Sequence, residues 1–287
     1  MDVSVIIVTY NTRQMTSECI ASIVENTKRV SYEIILVDNA STDGSKENFS
    51  RDNRITYIYN EENYGFGKAN NIGANVAKGK YLFFLNSDTY FLNNALLYFL
   101  NHAEESNNKG VGFWGTQLKD KEGRVNGNGS TFPTIRKSLM LAAHIHPKEI
   151  DYREEPFEPY TVDYVLGADV FVSKYVFNEI GGFDEEFFMY FEESDMMKRG
   201  ADLGYSSQII YGPGIVHLEG KSTGTISHHK RMIVEESHLK YLSKHSSLLR
   251  YRLFLCLYFV LKYPTILNFH YKMKDNWEYL MMIASKV

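Results

Sequence analysis

The chain has 287 residues, 44% apolar and 23% charged, which is enough for a full core and ordinary for a water-facing globular protein. Its two cysteines, Cys19 and Cys256, lie far apart without CxxC spacing, which argues against a disulfide scaffold or a cysteine zinc site and suits a reducing compartment. The net charge of −4 is unevenly divided: residues 1–220 carry 20 Lys and Arg against 31 Asp and Glu, whereas residues 221–287 carry 11 against 4.

The first segment, MDVSVIIVTYN, enters a β run at once, without a basic n-region or cleavage site, so a cytoplasmic protein is expected. Apolar runs at 3–8, 33–37, 55–59 and 81–85 alternate with helical stretches at 12–27, 43–49 and 67–79. Continuous runs, rather than strict alternation, fit strands covered on both faces, hence a parallel sheet with helical crossovers. In such a Rossmann-like layout, ligands sit beyond the carboxyl ends of the strands. Here those ends are polar. Thr9, Tyr10, Asn11 and Thr12 follow the first run, Asp38, Asn39 and Ser41 the second, and Asn86, Ser87 and Asp88 the fourth. One such turn is ordinary cap chemistry; three on one edge suggest a pocket for a polar ligand.

The common phosphate loops are missing. There is no GxxxxGK[ST], and GFGKAN (65–70) has Asn70 where GxGxxG needs its last glycine. Carboxylates at the pocket mouth suggest instead that phosphates are held through a divalent cation with oxygen ligands. Residues 110–134 read as strands and turns, and 144–163 as a loop whose His144 and His146 are surface residues. From 164 a strand (164–173), a helix (174–180) and a Gly181-Gly182 stop lead into an acidic, aromatic loop. A further helix begins near Glu192.

The segments VSVIIVTYN, VDNASTDGS, NYGFGKANNIGA, FFLNSDT, GADVFVSK and GGFDEEFFMYFEESDMMKRG occur in an order that resembles the GT-A glycosyltransferases of family 2. Within that family the chain is most similar to bacterial rhamnosyltransferase-like enzymes of surface polysaccharide synthesis. The resemblance spans roughly residues 3 to 223 and fades beyond 225. It implies a mixed, mainly parallel GT-A sheet with helices on both faces, forming a catalytic domain over 1–224. The nucleotide-binding half covers about 1–100 and the acceptor half about 101–224, followed by a basic helical extension at 225–287.

The resemblance also implies inverting transfer from a nucleotide-diphosphate sugar with Mn2+ or Mg2+. Asn86-Ser87-Asp88 stands where the family has a DxD-type motif, which makes Asp88 the metal ligand, and His217 matches a position near the metal or diphosphate. Lys221 and Ser222 follow on the same loop. The catalytic base falls on the Glu192-Glu193 pair, with Glu193 at the base position and Glu192 the alternative. As bare sequence, both are also acids favoured at a helix N-terminus, and Asp195 and Arg199 are spaced to brace that helix. Thr9, Tyr10, Asn11 and Asp38 are implied to line the nucleoside pocket. There Asp38 can accept from the N3–H of uracil or thymine, which favours a pyrimidine donor. Asn70 lies near the base or phosphates. Gly167, Ala168 and Asp169 shape the sugar pocket, with Asp169 bonded to a donor hydroxyl.

In the tail, LLRYRLFLCLYFVLKYP (248–264) has an apolar core flanked by Arg250, Arg252 and Lys262. It is too short to span a bilayer, for which about 20 residues are needed. It reads either as a helix on an anionic membrane surface or as one packing on the catalytic domain or a homodimer mate. The first reading places the protein on the inner face of the cell membrane, where a lipid-linked glycan acceptor would be met. Residues 134–163 are expected to help choose that acceptor, and no nucleic-acid partner is expected. The competing functional readings are a sugar nucleotidyltransferase and a catalytically degenerate nucleotide-sugar-binding or membrane-scaffold protein.

Overall fold

A computed structural model describes residues 1–105, 110–127, 129–146, 158–218 and 227–286. In chain order the first elements are β1 (Val3–Thr9), α1 (Arg13–Asn26), β2 (Tyr32–Asp38), α2 (Ser45–Phe49), β3 (Thr56–Tyr59), α3 (Phe66–Val76) and β4 (Tyr81–Asn86). Next come β5 (Thr89–Phe91), α4 (Ala95–Glu104), β6 (Val111–Thr116), β7 (Leu118–Lys119), β8 (Val125–Gly127), β9 (Gly129–Ser130) and α5 (Ile135–Ala142). Then follow β10 (Tyr160–Val162), β11 (Tyr164–Val165), β12 (Asp169–Ser173), α6 (Lys174–Glu179), α7 (Glu192–Asp202), β13 (Ser206–Ile210) and β14 (Ile215–His217). Three helices end the chain: α8 (His228–Lys244), α9 (Leu248–Lys262) and α10 (Met273–Ala284).

The chain forms two compact units: Met1–Thr131 with Asp151–Phe188 and Glu192–Gly220, and Phe132–Ile150 with Met189–Phe191 and Lys221–Val287. The first is built on an eight-stranded sheet of order β10-β13-β6-β12-β4-β1-β2-β3. Strands β4, β1, β2 and β3 are parallel, as are β6 and β13, while β12 runs antiparallel between β4 and β6. The buried VSVII and YLFFL runs are covered on both faces. Val3, Val5 and Ile7 join Cys19, Ile20 and Ile23 of α1 in one cluster. The opposite face belongs to α3, where a Cβ on Gly73 would come 2.6 Å from Ile6. This period of two across the sheet aligns Thr9, Asp38 and Asn86 along one edge, in direct register for Thr9 and Asp38.

The expected strand at 164–173 is two strands. β11 leaves to pair with β9 and β12 enters the main sheet, with Leu166-Gly167-Ala168 turning between them. Local apolarity hides this break, since Leu, Gly and Ala give no polar turn signal. A second, four-stranded sheet, β5-β14-β7-β8, carries the chain after Asp88 against His217, with Thr89 opposite His217.

The second unit adds α5 and Met189–Phe191 to the C-terminal helices. Its core contains a buried charge, Glu235 of α8, which accepts from Tyr258 Oη at 2.8 Å and Tyr279 Oη at 2.7 Å. Burial opposes ionisation of Glu235, but the hydrogen bond and charge of His238, together with Lys262 and Tyr279, hold its carboxyl down at about 2. The Arg231 guanidinium lies 3.6 Å over the Tyr279 ring and donates to Asn276 Oδ1. Helices α8, α9 and α10 are thus tied by a partnered polar cluster as well as by Leu239, Phe254, Leu255 and Leu280. No described helix is long and apolar enough to cross a membrane.

Candidate active site

The β4 turn gathers one group of predicted residues. Asp88 Oδ1 and His217 Nε2 are 3.3 Å apart, and Asn86 Nδ2 is 3.4 Å from the same imidazole nitrogen. The backbone fixes this pair: Leu218 N donates to Asp88 O, and Asn126 Nδ2 donates to His217 O. Two ligands held at about 2.1 Å from one divalent ion and at right angles would be about 3.0 Å apart, so this spacing suits a shared cation. Carboxylate oxygen plus imidazole is also a donor set that Mn2+ accepts. Lys221 and Ser222 lie outside the described residues.

From this turn the path to α7 is short. Asn86 N donates to Ala168 O at 3.0 Å, and Gly167 lies against Glu193, whose Cδ would be 3.6 Å from a Cβ placed there. Glu193 is half-buried and Glu192 is 4% exposed, packed below Gly67 of α3. Burial raises both carboxyls. Glu192 is pushed well above the usual range, with the adjacent Glu193 charge adding to the effect. Backbone N–H groups of Glu193, Ser194 and Gly167 oppose the rise at Glu193. Of the two, Glu193 is the more exposed. The chain is set for this by Tyr190 and Phe191, consecutive non-glycine residues at φ +70° and +68° immediately before α7. Such strain persists only where the surroundings over-determine it.

Neighbouring loops are held tightly. Gly65 at φ +82° lets the backbone pass Phe188, because an added Cβ would sit 2.1 Å from Phe188 O. Asn71 clasps Phe183 through both N and O, and Arg199 binds Asp195 while donating to Ile180 O and Gly182 O. The Asp195–Arg199 pair therefore fixes the Gly181-Gly182 turn as well as its own helix.

The nucleoside-side residues divide by exposure. Tyr10 is 50% exposed, and Asn11, at φ +54°, accepts from Thr42 N and donates its own N–H to Ser41 Oγ. Thr9 is buried, bonded to Thr12 and Thr16, and Ser87 Oγ reaches Thr12 Oγ1 at 3.1 Å. This hydroxyl cluster ties the end of β1 and the start of α1 to the β4 turn. Asp38 accepts from Ser41 N at 2.8 Å and Tyr57 Oη at 2.7 Å. Tyr57 was not foreseen, although its place in the alternating TYIY strand would have allowed it.

Asp169 has a structural partner as well. It is fully buried at the start of β12 and accepts from Thr116 N at 2.6 Å through Oδ2, while its Oδ1 has no protein partner. It pins β12 to β6. Burial holds its carboxyl well above the usual range, against the Thr116 hydrogen bond. A raised folded-state pKa means its contribution to stability is complete below the unfolded value of about 3.9 and is lost as pH rises toward the folded value. Asp169→Asn is therefore expected to melt progressively higher relative to wild type as pH increases, in paired thermal scans across the neutral range; a pH-independent difference would contradict this.

Buried acceptors without protein partners mark the same region: Asn70 Oδ1, Asp169 Oδ1, Glu192 Oε2 and Glu193 Oε2. Leaving such atoms unmatched costs about 1–3 kcal/mol each, so a bound group that supplies donors is the natural complement. By contrast, a cavity of about 340 Å3 lined by Tyr98, Thr116, Lys119 and Tyr211 opens at the other end of β14 and contains none of the predicted groups. His144 and His146 are exposed and join no described metal-binding cluster.

The fold so described is that of the GT-A glycosyltransferases. It matches GalNAc-T7 in complex with UDP, GalNAc and Mn2+ with a TM-score of 0.66 at 15% identity, covering 100% of this chain and 56% of that one. Sequence comparison then gives the family. The chain belongs to glycosyl transferase family 2, whose model matches residues 4–158, more than half its length. An uncharacterized glycosyltransferase of Rickettsia bellii is 27% identical over 226 residues, covering 75% of this chain, although the chain spans only 31% of that protein. The N-acetylglucosaminyl-diphospho-decaprenol L-rhamnosyltransferase of Mycobacterium tuberculosis is 26% identical over 251 residues, covering 79% of this chain and 81% of its own length.

Proposed function

We propose that this family 2 enzyme transfers a sugar, with inversion, from a pyrimidine nucleotide-diphosphate donor to a growing, lipid-linked bacterial surface glycan. The donor is dTDP-rhamnose or a UDP-sugar, and Mn2+ or Mg2+ assists. The observation that carries this reading is the Asp88–His217 pair at 3.3 Å on the sheet edge, joined through Asn86 and the Gly167-Ala168 turn to Glu193. The activity of the mycobacterial relative supports the lipid-linked acceptor, and the UDP and Mn2+ of the GalNAc-T7 complex support a nucleoside-diphosphate donor with a divalent cation.

In this reading Asp88 Oδ1 and His217 Nε2 hold the cation, and Asn86 and Ser87 flank the diphosphate. When bound, the cation supplies Lewis acidity toward the departing nucleoside diphosphate. Glu193 removes the proton from the acceptor hydroxyl as that oxygen attacks the anomeric carbon from the opposite face. Burial of Glu192 disfavours a second negative charge beside Glu193. Asn70 Oδ1 accepts from a donor-sugar or ribose hydroxyl. Tyr10, Asn11 and the Asp38–Tyr57 pair shape the nucleoside end.

Turnover of dTDP-rhamnose, UDP-sugars and GDP-mannose with a polyprenyl-diphosphate-linked glycan tests this. One pyrimidine donor should be consumed in a cation-dependent manner, giving a product of opposite anomeric configuration. Consumption of GDP-mannose alone, or retained configuration, would contradict it, and nucleotide binding without any transfer would identify a binding protein instead.

A further inference from the structure

The second unit spends only one face of α9 on its core. Tyr251, Phe254, Leu255 and Tyr258 are buried there at i, i+3, i+4 and i+7 spacing. The opposite face is also apolar but is left open: Leu249 is 70% exposed, Leu253 64%, Leu257 48% and Val260 64%. At about 100° per residue these four, with Cys256 between them, fall inside an arc of about 100°. Arg252 lies just past one border of that arc and Arg250 just past the other, both exposed. The concentration is not incidental. Eleven of the 23 exposed large hydrophobic residues among the described positions lie between 248 and 281, including Phe269 at 98%. An apolar patch of this kind on a protein surface marks a docking site.

We propose that this face of α9 docks the protein on an anionic lipid leaflet, with the leucine stripe entering the headgroup–acyl boundary and Arg250 and Arg252 engaging lipid phosphates on either side. The helix is too short to cross a bilayer, and an exposed apolar stripe with arginines at its borders suits a position in the headgroup interface. Charge selects lipid over a second copy of the chain. Two-fold pairing through a self-complementary stripe would set the Arg250 and Arg252 borders against their own copies. An anionic leaflet instead offers opposite charge to a segment, 221–287, that carries 11 Lys and Arg against 4 Asp and Glu. Helix α9 keeps its orientation because Tyr258 is fastened to Glu235 on the inner face, so the stripe is not free to turn inward.

The test is flotation of the whole protein with phosphatidylglycerol-rich vesicles and with pure phosphatidylcholine vesicles, alongside sedimentation velocity without lipid. Binding should require phosphatidylglycerol and weaken with salt. Arg250→Gln with Arg252→Gln should weaken it about 25-fold, at about five-fold per cation. Leu253→Ser with Val260→Ser should weaken it by more than about ten-fold, since each exchange removes most of the burial gain of a large side chain. All four positions are exposed, and unchanged thermal melts would confirm that the variants fold. Equal binding to both vesicle types, no binding to either, or a dimer in solution that the serine pair dissociates would overturn the proposal. Neither nucleotide nor acceptor enters the assay, so failure here leaves the transferase reading intact, and failure of that reading leaves this one intact.

Discussion

Glu193→Gln is expected to lower the transfer rate by roughly 10²–10⁴-fold, the scale of a lost general base, while donor affinity changes little. The substitution keeps the side chain's size and its place against Gly167, so the loss reports the proton acceptor rather than the packing. The wild-type pH profile should carry the same signature. Burial raises the Glu193 carboxyl, so transfer should fall on the acid side at a pH above the ordinary Glu value of about 4.3. The Gln variant should lose that acidic limb. Glu192→Gln, by contrast, should retain most of the rate, because that side chain is 4% exposed and packed beneath α3. The opposite ranking would move the base to Glu192.

The second large effect is expected at Asp88. Asp88→Ala removes the carboxylate of the Asp88–His217 pair and should abolish the cation dependence of nucleotide binding, with transfer falling below detection. Its side chain is partly exposed and its main-chain carbonyl still receives Leu218 N–H, so the fold should hold, with a melting temperature close to that of wild type. Calorimetric titration of Mn2+ together with a nucleoside diphosphate separates the two consequences. Undiminished cation-dependent binding in Asp88→Ala would remove Asp88 from the ligand set.

Much of this was legible in the chain because the parallel core declares itself. VSVIIV, EIILV and YLFFL are continuous apolar runs, and each ends in Asn, Asp, Ser or Thr that the sheet then aligns on one edge. What pattern alone does not supply is proximity between distant segments. His217 reaches Asp88 only because β14 pairs with β5, and Glu193 reaches the β4 turn only because β12 lies beside β4 with Gly167 at its start. The burial of Asp169 at the start of β12 follows from the break at Leu166-Gly167-Ala168, which the apolar run 164–173 does not reveal. The C-terminal helices were read from the sequence, but the polar core that joins them was not. Its buried charge, Glu235, is stabilised by tyrosines from two other helices, and periodicity along a single helix cannot announce such a partner.

The proposed nucleoside diphosphate site at the Asp88–His217 turn is cation-dependent. It is tested most directly by thermal unfolding of the wild-type protein with UDP, dTDP, GDP and CMP, each with and without Mn2+. A ligand at 100 times its dissociation constant adds about 2.7 kcal/mol, which at roughly 2–4 °C per kcal/mol raises the melting temperature by several degrees. That rise is expected for a pyrimidine diphosphate only when Mn2+ is present, and is expected to be lost in Asp88→Ala. A rise that is equal without the cation, or no rise with any nucleotide, would contradict it.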